Sequence, residues 1–478
     1  MTDRLGQYPA LRKTARWLWA LVLLTLPVTS FRYYPSFLGR ATVSPLALIP
    51  LLPLLLIFLW LMFRQRRIWW PPHSVALAAF LLFAMLATAL GFMDTPFTLR
   101  GQDYDSRALR AWLSLGMGLA FFLAAVLMNR DEADLRFSLK WLYIGLFLTI
   151  VWGGVQALAI NTPILDRSLI DSWQEIFSRR GLVARRISGF AYEPSWLADQ
   201  MVILYLPWLY AAALSGFRLT RFKWLEPFLI LAVGALLLLT FSRSGLLNAV
   251  LVAGVVLLFT ARSWGQRAWA WFRTQSYAVR GSLTGLLLLS LVAAFSWLSQ
   301  YDYFARLWDF DVENGLVGYV VNISAGPRLA YSMAALETYA EHPWTGVGLG
   351  ATGFYIYDRL PAWSLTTVPE IARQLNPDSN IFPNAKNLYA RLLAEVGLIG
   401  FWLFIAFYFS LLGSVRKLWV QARPHLRYAA MAALFIWLAV ALRNGTQDSL
   451  TFPVMWTALG IVLGLSQAAD VREPDAEQ

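Results

Sequence analysis

The stretch LEPFLILAVGALLLLTFSRSGLLNAVLVAGVVLLFT, residues 225–260, holds two apolar runs joined by almost nothing. Each approaches the ~20 residues a helix needs to cross a ~30 Å hydrocarbon layer. The joint is Thr240-Phe-Ser-Arg-Ser-Gly245, so the chain crosses a membrane, turns around Arg243 and crosses back. Similar runs recur from Trp17 to Leu465. Of 478 residues, 58% are hydrophobic and 14% charged, where a soluble domain carries about a quarter charged. Mean hydropathy is +0.53. A β-barrel would show short alternating segments instead, and none is present.

The reading is an all-α, polytopic integral membrane protein with about twelve transmembrane helices. The spans fall near 17–31, 43–63, 74–93, 108–128, 139–160, 196–214, 225–241, 244–260, 282–299, 387–412, 428–443 and 452–468. Three regions follow: residues 1–299 with nine spans and short loops, one long loop at 300–386, and residues 387–478 with three spans and a tail. Met1–Arg16 is polar and basic, but no small-residue cleavage site follows the first apolar run, which reads as a retained helix.

With the N-terminus inside, the inner loops carry Arg64/Arg66/Arg67, Arg130/Arg136/Lys140, Arg218/Arg221/Lys223, Arg262/Arg267/Arg273/Arg280 and Arg416/Lys417/Arg423/Arg427. Each is short and basic, as inner loops are in multi-pass proteins. An even number of spans returns the C-terminus inside. The formal charge of +12 thus belongs to topology and anionic lipid head groups, and no nucleic acid is expected. With no cysteine, the chain has no disulfide or thiolate metal site.

Two outer segments depart from this pattern. Gln300–Lys386 is long, and long loops cross regardless of charge. Asn161–Ser195 is short yet carries Arg167, Arg179, Arg180, Arg185 and Arg186. Neighbouring helices can hold such a loop outside by themselves; the functional alternative is an outer anion site.

Four clusters carry candidate chemistry. Arg243, flanked by Ser242 and Ser244, either snorkels to the interface or grips an anion, which a guanidinium holds through two parallel hydrogen bonds. The run Arg185-Arg-Ile-Ser-Gly-Phe-Ala-Tyr-Glu-Pro-Ser195 places Arg186, Tyr192 and Glu193 at the mouth of the sixth span. Glu193 serves there as a helix-start charge, a sugar-hydroxyl binder or a general base. Third comes Gly326-Pro-Arg328, then Pro-Trp-Thr-Gly-Val-Gly-Leu-Gly at 343–350. These glycines lack the Lys-Ser/Thr of a phosphate-binding nucleotide loop, and read as a turn needing glycine's backbone freedom. The fourth is Lys386-Asn-Leu-Tyr389, continuing to Glu395-Val-Gly-Leu-Ile-Gly400. Within the long loop, Pro327–Glu341 has helical spacing and Asn376–Pro383 is turn-rich.

Together these pieces resemble the O-antigen ligase and polymerase superfamily. The resemblance spans roughly residues 180–400 and rests on Arg186–Phe190, Glu193–Ser195, Ser242–Gly245, Arg328, the 343–350 run and the 386–400 run in that order. It implies a GT-C-like fold with a long periplasmic loop containing short helices, and a bacterial inner membrane with both termini cytoplasmic and the active site facing the periplasm. The implied donor is a glycan on undecaprenyl diphosphate; the other implied partners are membrane lipids and a chain-length-regulating membrane protein. Arg243 and Arg328 would hold the diphosphate. Lys386 stands where ligases usually have a histidine, and Glu-Pro-Ser resembles exopolysaccharide polymerases, so a Wzy-type polymerase making O-antigen or exopolysaccharide is expected. Its catalytic residues would be Glu193, Arg243, Arg328 and Lys386. Substrate would be bound by Arg185, Arg186, Tyr192, Ser242, Ser244, Asn387 and Tyr389.

Neither metal nor cofactor is expected. Trp344, Tyr355 and Trp363 are stacking candidates for sugars, against interface anchoring or loop core. Competing readings are an O-antigen ligase acting on lipid A-core, a metal-dependent transferase using Asp103/Asp105 or Asp309/Asp311, and a lipid-linked oligosaccharide transporter. A transporter needs a polar path near the midplane, whereas the polar groups here concentrate at the outer face.

Overall fold

The computed structural model describes residues 8–34, 43–65, 74–95, 98–260, 262–310, 315–376, 378–421 and 423–468. Its main helices are α1 (Pro9–Thr25), α2 (Leu48–Gln65), α3 (Ser74–Asp94), α4 (Tyr104–Met128), α5 (Glu132–Asn161) and α6 (Arg167–Phe177). After them come α7 (Pro194–Ser215), α8 (Leu225–Leu239), α9 (Arg243–Thr260), α10 (Arg262–Thr274) and α11 (Tyr277–Ser299). The long loop holds α12 (Asp302–Ala305), α13 (Gly315–Asn322), α14 (Gly326–Glu341), α15 (Gly353–Ile356), α16 (Ala362–Thr367) and α17 (Pro369–Leu375). The chain then finishes in α18 (Leu388–Val420), α19 (Pro424–Asn444) and α20 (Pro453–Ala468).

A helix stands at each of the twelve expected spans. Among the described residues, eight are long and apolar enough to cross a membrane: α3, α4, α5, α7, α9, α11, α18 and α19. The other four, α1, α2, α8 and α20, are shorter or more polar. The all-α, polytopic architecture therefore holds, with fewer full-length crossings than the hydropathy count. Large apolar side chains face outward across the bundle, including Leu231 at 74% exposure and Leu258 at 74%. Such a surface suits hydrocarbon rather than water.

Three elements are unforeseen. A two-residue hairpin pairs Thr98–Leu99 with Gln102–Asp103. The basic outer segment contains α6, and the basic loop after α9 contains α10.

Packing centres on α18, which touches α3, α14, α19 and α20, while α20 lies along α4. Gly460 and Gly464 permit that close approach: a Cβ on Gly464 would stand 2.4 Å from the Asn129 carbonyl. Small residues four apart are a common way for membrane helices to meet, since lipid supplies no hydrophobic drive between them.

Two helices are broken, each for a local reason. In α7 a π-helical turn at Met201–Tyr205 precedes Pro207, and the Leu206 N–H reaches back to Met201. Proline donates no N–H and clashes with the carbonyl four residues back, so the helix widens by a residue there. In α18, Gly397 adopts φ 61°, ψ −170°. The carbonyls of Ala394 and Glu395 accept instead from the N–H groups of Val347 and Gly348, both at 2.9 Å. Leu398 N–H donates to the Pro343 carbonyl at 2.8 Å. The glycine-rich run is thus a backbone clamp filling the gap in a helix. Broken backbone at membrane depth is tolerated only when protein satisfies it.

Candidate active site

The segment before α7 is held by a buried amide. Gln156 of α5 accepts from the N–H groups of Ser188 and Gly189, at 3.1 and 2.8 Å, and donates to the Gly189 carbonyl at 3.0 Å. It also donates to Gln174 of α6 at 2.8 Å, and Trp152 donates to that same oxygen at 2.8 Å. Trp152 stacks on Phe190. This network fixes the turn that aims Arg186 and Glu193.

Arg186 is half-buried. Its Nε–H donates to the Thr240 carbonyl at 2.8 Å, where α8 ends. Its guanidinium lies 5.8 Å from the Tyr303 ring. Burial lowers its pKa below the ordinary guanidinium value; Arg180 and Arg328 act in the same direction, while Tyr303 and Glu193 oppose them. Three guanidiniums thus share one field with the Glu193 carboxylate. A desolvated, under-neutralised cation cluster favours a bound anion.

Glu193 sits at the start of α7 without capping it. Its carboxylate accepts from Arg180 at 3.3 Å and from the Ser195 hydroxyl at 3.4 Å, and stays 40% exposed. Tyr192 packs beneath Arg180 at 5.5 Å and against Trp196. Arg185 is exposed and holds a left-handed φ of 60°.

Arg243 opens α9. Its guanidinium donates to the carbonyls of Tyr303 and Ile323 and stacks 3.8 Å from the Tyr303 ring. Tyr303 therefore lies between Arg243 and Arg186. Ser242 is buried, and its hydroxyl accepts from the Gly245 N–H at 3.3 Å. Ser244 is half-buried in the first turn.

Arg328 lies in the first turn of α14, and Lys386 precedes α18 with φ 57°. Lys386 Nζ is 6.0 Å from the ring of Tyr331, one turn beyond Arg328. Its backbone N–H donates to Asp448 at 3.3 Å. Cations in first turns oppose the helix dipole, so both dipoles and side chains raise the positive potential at this end.

The structure thus brings Arg186 and Arg243 to Tyr303, with Glu193 and Arg328 within electrostatic reach of Arg186 and Lys386 beside the next turn of α14. Two candidates have their polar atoms engaged inside the protein: Asn387 caps α18 through Tyr389 and Ala390 N–H, and the Tyr389 hydroxyl donates to the Ala441 carbonyl at 2.8 Å. Of the stacking candidates, Tyr355 and Trp363 belong to the packing of the long loop, while Trp344 is 63% exposed. Asp309 accepts from Asn322, and Asp311 lies outside the described residues. Among the described residues no group of three or more His, Asp or Glu is placed to hold a metal.

Sequence reading missed Tyr303, Gln156, Asp199 and Arg443. Tyr303 carries no motif. The other three had a signal, because each is a polar side chain inside an apolar run.

The fold and site define a polytopic helical membrane protein with a cluster of cations where its long loop meets the bundle. Residues 228–405 match the family model described as O-Antigen ligase, in keeping with the resemblance read from the sequence, and this points to a glycosyl-transferring enzyme of the O-antigen ligase and polymerase kind. No curated protein matches the chain.

Proposed function

We propose that this enzyme joins undecaprenyl-diphosphate-linked oligosaccharide units into O-antigen or exopolysaccharide on the periplasmic face of the inner membrane. One observation carries the reading: Arg180 stands 3.3 Å from the Glu193 carboxylate, just ahead of Arg186, and Arg186 and Arg243 both lie against the Tyr303 ring. Glycosyl transfer from a lipid diphosphate needs both kinds of group. The acceptor hydroxyl attacks the anomeric carbon, the bond from that carbon to the diphosphate oxygen breaks, and its electron pair stays on the diphosphate. Fixed guanidiniums stabilise the charge that develops there. Glu193 takes the proton of the attacking hydroxyl; half-exposed, it is reachable. Arg186 and Arg328 face the diphosphate. Arg243 contributes by tying Tyr303 and Ile323 to α9, and Lys386 adds a further cation. A chain-length-regulating membrane protein fits this reading as a partner.

The test uses purified protein in nanodiscs with a short undecaprenyl-diphosphate oligosaccharide and no added nucleotide. A ladder of longer lipid-linked chains, lost in Arg328→Ala and Glu193→Gln proteins of unchanged melting temperature, is the expected result. A ligase is the second reading, favoured by the description of the matched family. Transfer only when lipid A-core is supplied would establish it. No transfer to either acceptor would overturn both readings and leave lipid-linked sugar transport.

A further inference from the structure

Asp199 and Arg443 are a deeply buried acid and base that the mechanism does not use, at 5% and 2% exposure. Arg443 Nε stands 3.4 Å from Asp199 Oδ2, joining α7 to the end of α19. Charges at membrane depth are costly, and apolar residues of similar size would pack two helices as well. What distinguishes this pair is the chain of bonds leading from it.

Asp199 follows Glu193 by six residues on the same helix, ahead of the π-helical turn. Arg443 also donates to Asn444 Oδ1 and to the Ser449 carbonyl, both at 3.3 Å. The turn it grips, 444–449, clasps the start of α18. Leu388 N–H donates to the Gln447 carbonyl at 3.1 Å, Lys386 N–H to Asp448 Oδ2 at 3.3 Å, and Arg391 to the Asp448 carbonyl at 2.9 Å. Arg328 also lies within electrostatic reach of Asp199. A continuous polar path therefore runs from the helix bearing Glu193, through Asp199 and Arg443, to the backbone of Lys386.

We propose that the Asp199–Arg443 ion pair is a strut setting the separation between the Glu193–Arg186 half of the site and the Lys386 half, so that both act on one bound substrate. Both residues are positioning residues. The inference rests on the glycosyl-transfer reading for its catalytic consequence, but not for its geometric one.

The experiment compares wild type, Arg443→Lys and the paired variant Asp199→Leu/Arg443→Met, which removes both charges and leaves neither unpaired. Turnover and donor KM are read in nanodiscs. In parallel, spin labels at Leu169→Cys and Ile381→Cys report the separation of the two halves; both positions are about half exposed, and the chain has no cysteine of its own. The paired variant should fold, keep its donor KM within about threefold, and lose at least about tenfold in kcat, because misplacement costs rate rather than binding. Its distance distribution should broaden or shift. Arg443→Lys, able to reach Asp199 but not to fork onto Ser449, should fall between. A folded paired variant with wild-type kcat and an unchanged distribution overturns the strut. If wild type transfers no glycan, the proposed function fails on its own, and the distance measurement alone decides the strut. If the paired variant does not fold, Arg443→Lys decides by the same two readouts.

Discussion

At the scale of single residues, the site is a problem in charge accounting. Arg186 uses Nε on a backbone carbonyl and leaves the rest of its fork toward the cation cluster. A lysine has one point charge and no fork, and cannot satisfy Thr240 and an oxyanion together. Arg186→Lys is therefore expected to lose about a hundredfold in transfer rate, the usual scale for removing one oxyanion donor. Steady-state rates on the lipid-linked donor, with melting temperature as a folding control, check this. Arg243 shows how far a sequence reading reaches. Its place in a crease between two apolar runs marked it as special, yet two of its donors close on carbonyls of a loop sixty and eighty residues further on.

At the scale of elements, the decisive contact is the insertion of 343–350 into the break of α18. A Cβ on Gly397 would lie 2.3 Å from the Trp344 carbonyl, at a left-handed φ of 61°. Gly397→Ala is expected to cost roughly 2 kcal/mol or more, since clash and backbone strain act together. Thermal unfolding in detergent reads it. The long loop carries a weaker fastening: Arg359 pairs with Glu341, at 3.0 Å for one of its two contacts. The hydrogen bond from Arg359 holds the Glu341 carboxyl below its ordinary 4.5. A lowered folded pKa means stability present above the unfolded value and lost as pH falls through the folded one. The pair's contribution should therefore be constant at neutral pH and fade below about pH 4.5. It is exposed, so well under about 1 kcal/mol is expected. Limited proteolysis of the loop across pH, in wild type and Arg359→Ala, measures it.

At the scale of the whole molecule, the inference is orientation. Basic loops alternate with apolar helices along the sequence, and on that pattern the long loop is expected on the opposite side. Cysteines placed at Trp344 and Ile381 should react with an impermeant maleimide in intact spheroplasts, whereas one at Arg267 should react only after lysis. The reverse pattern would invert the topology and place the site in the cytoplasm.

The sequence alone determined that the chain is helical and membrane-embedded, and where its apolar helices run. Hydropathy and basic loops act locally, residue by residue, so they survive without coordinates. Four short motifs were legible for the same reason, and so was their resemblance to one family. Only the tertiary structure decided which of their side chains meet. Gln156, Tyr303, Asp199 and Arg443 gain their roles from partners far along the chain, and Asn387 and Tyr389 have their polar atoms drawn into the protein's own bonds. A hydrogen bond or ion pair is set by distance in space, and separation along the chain carries almost no record of it.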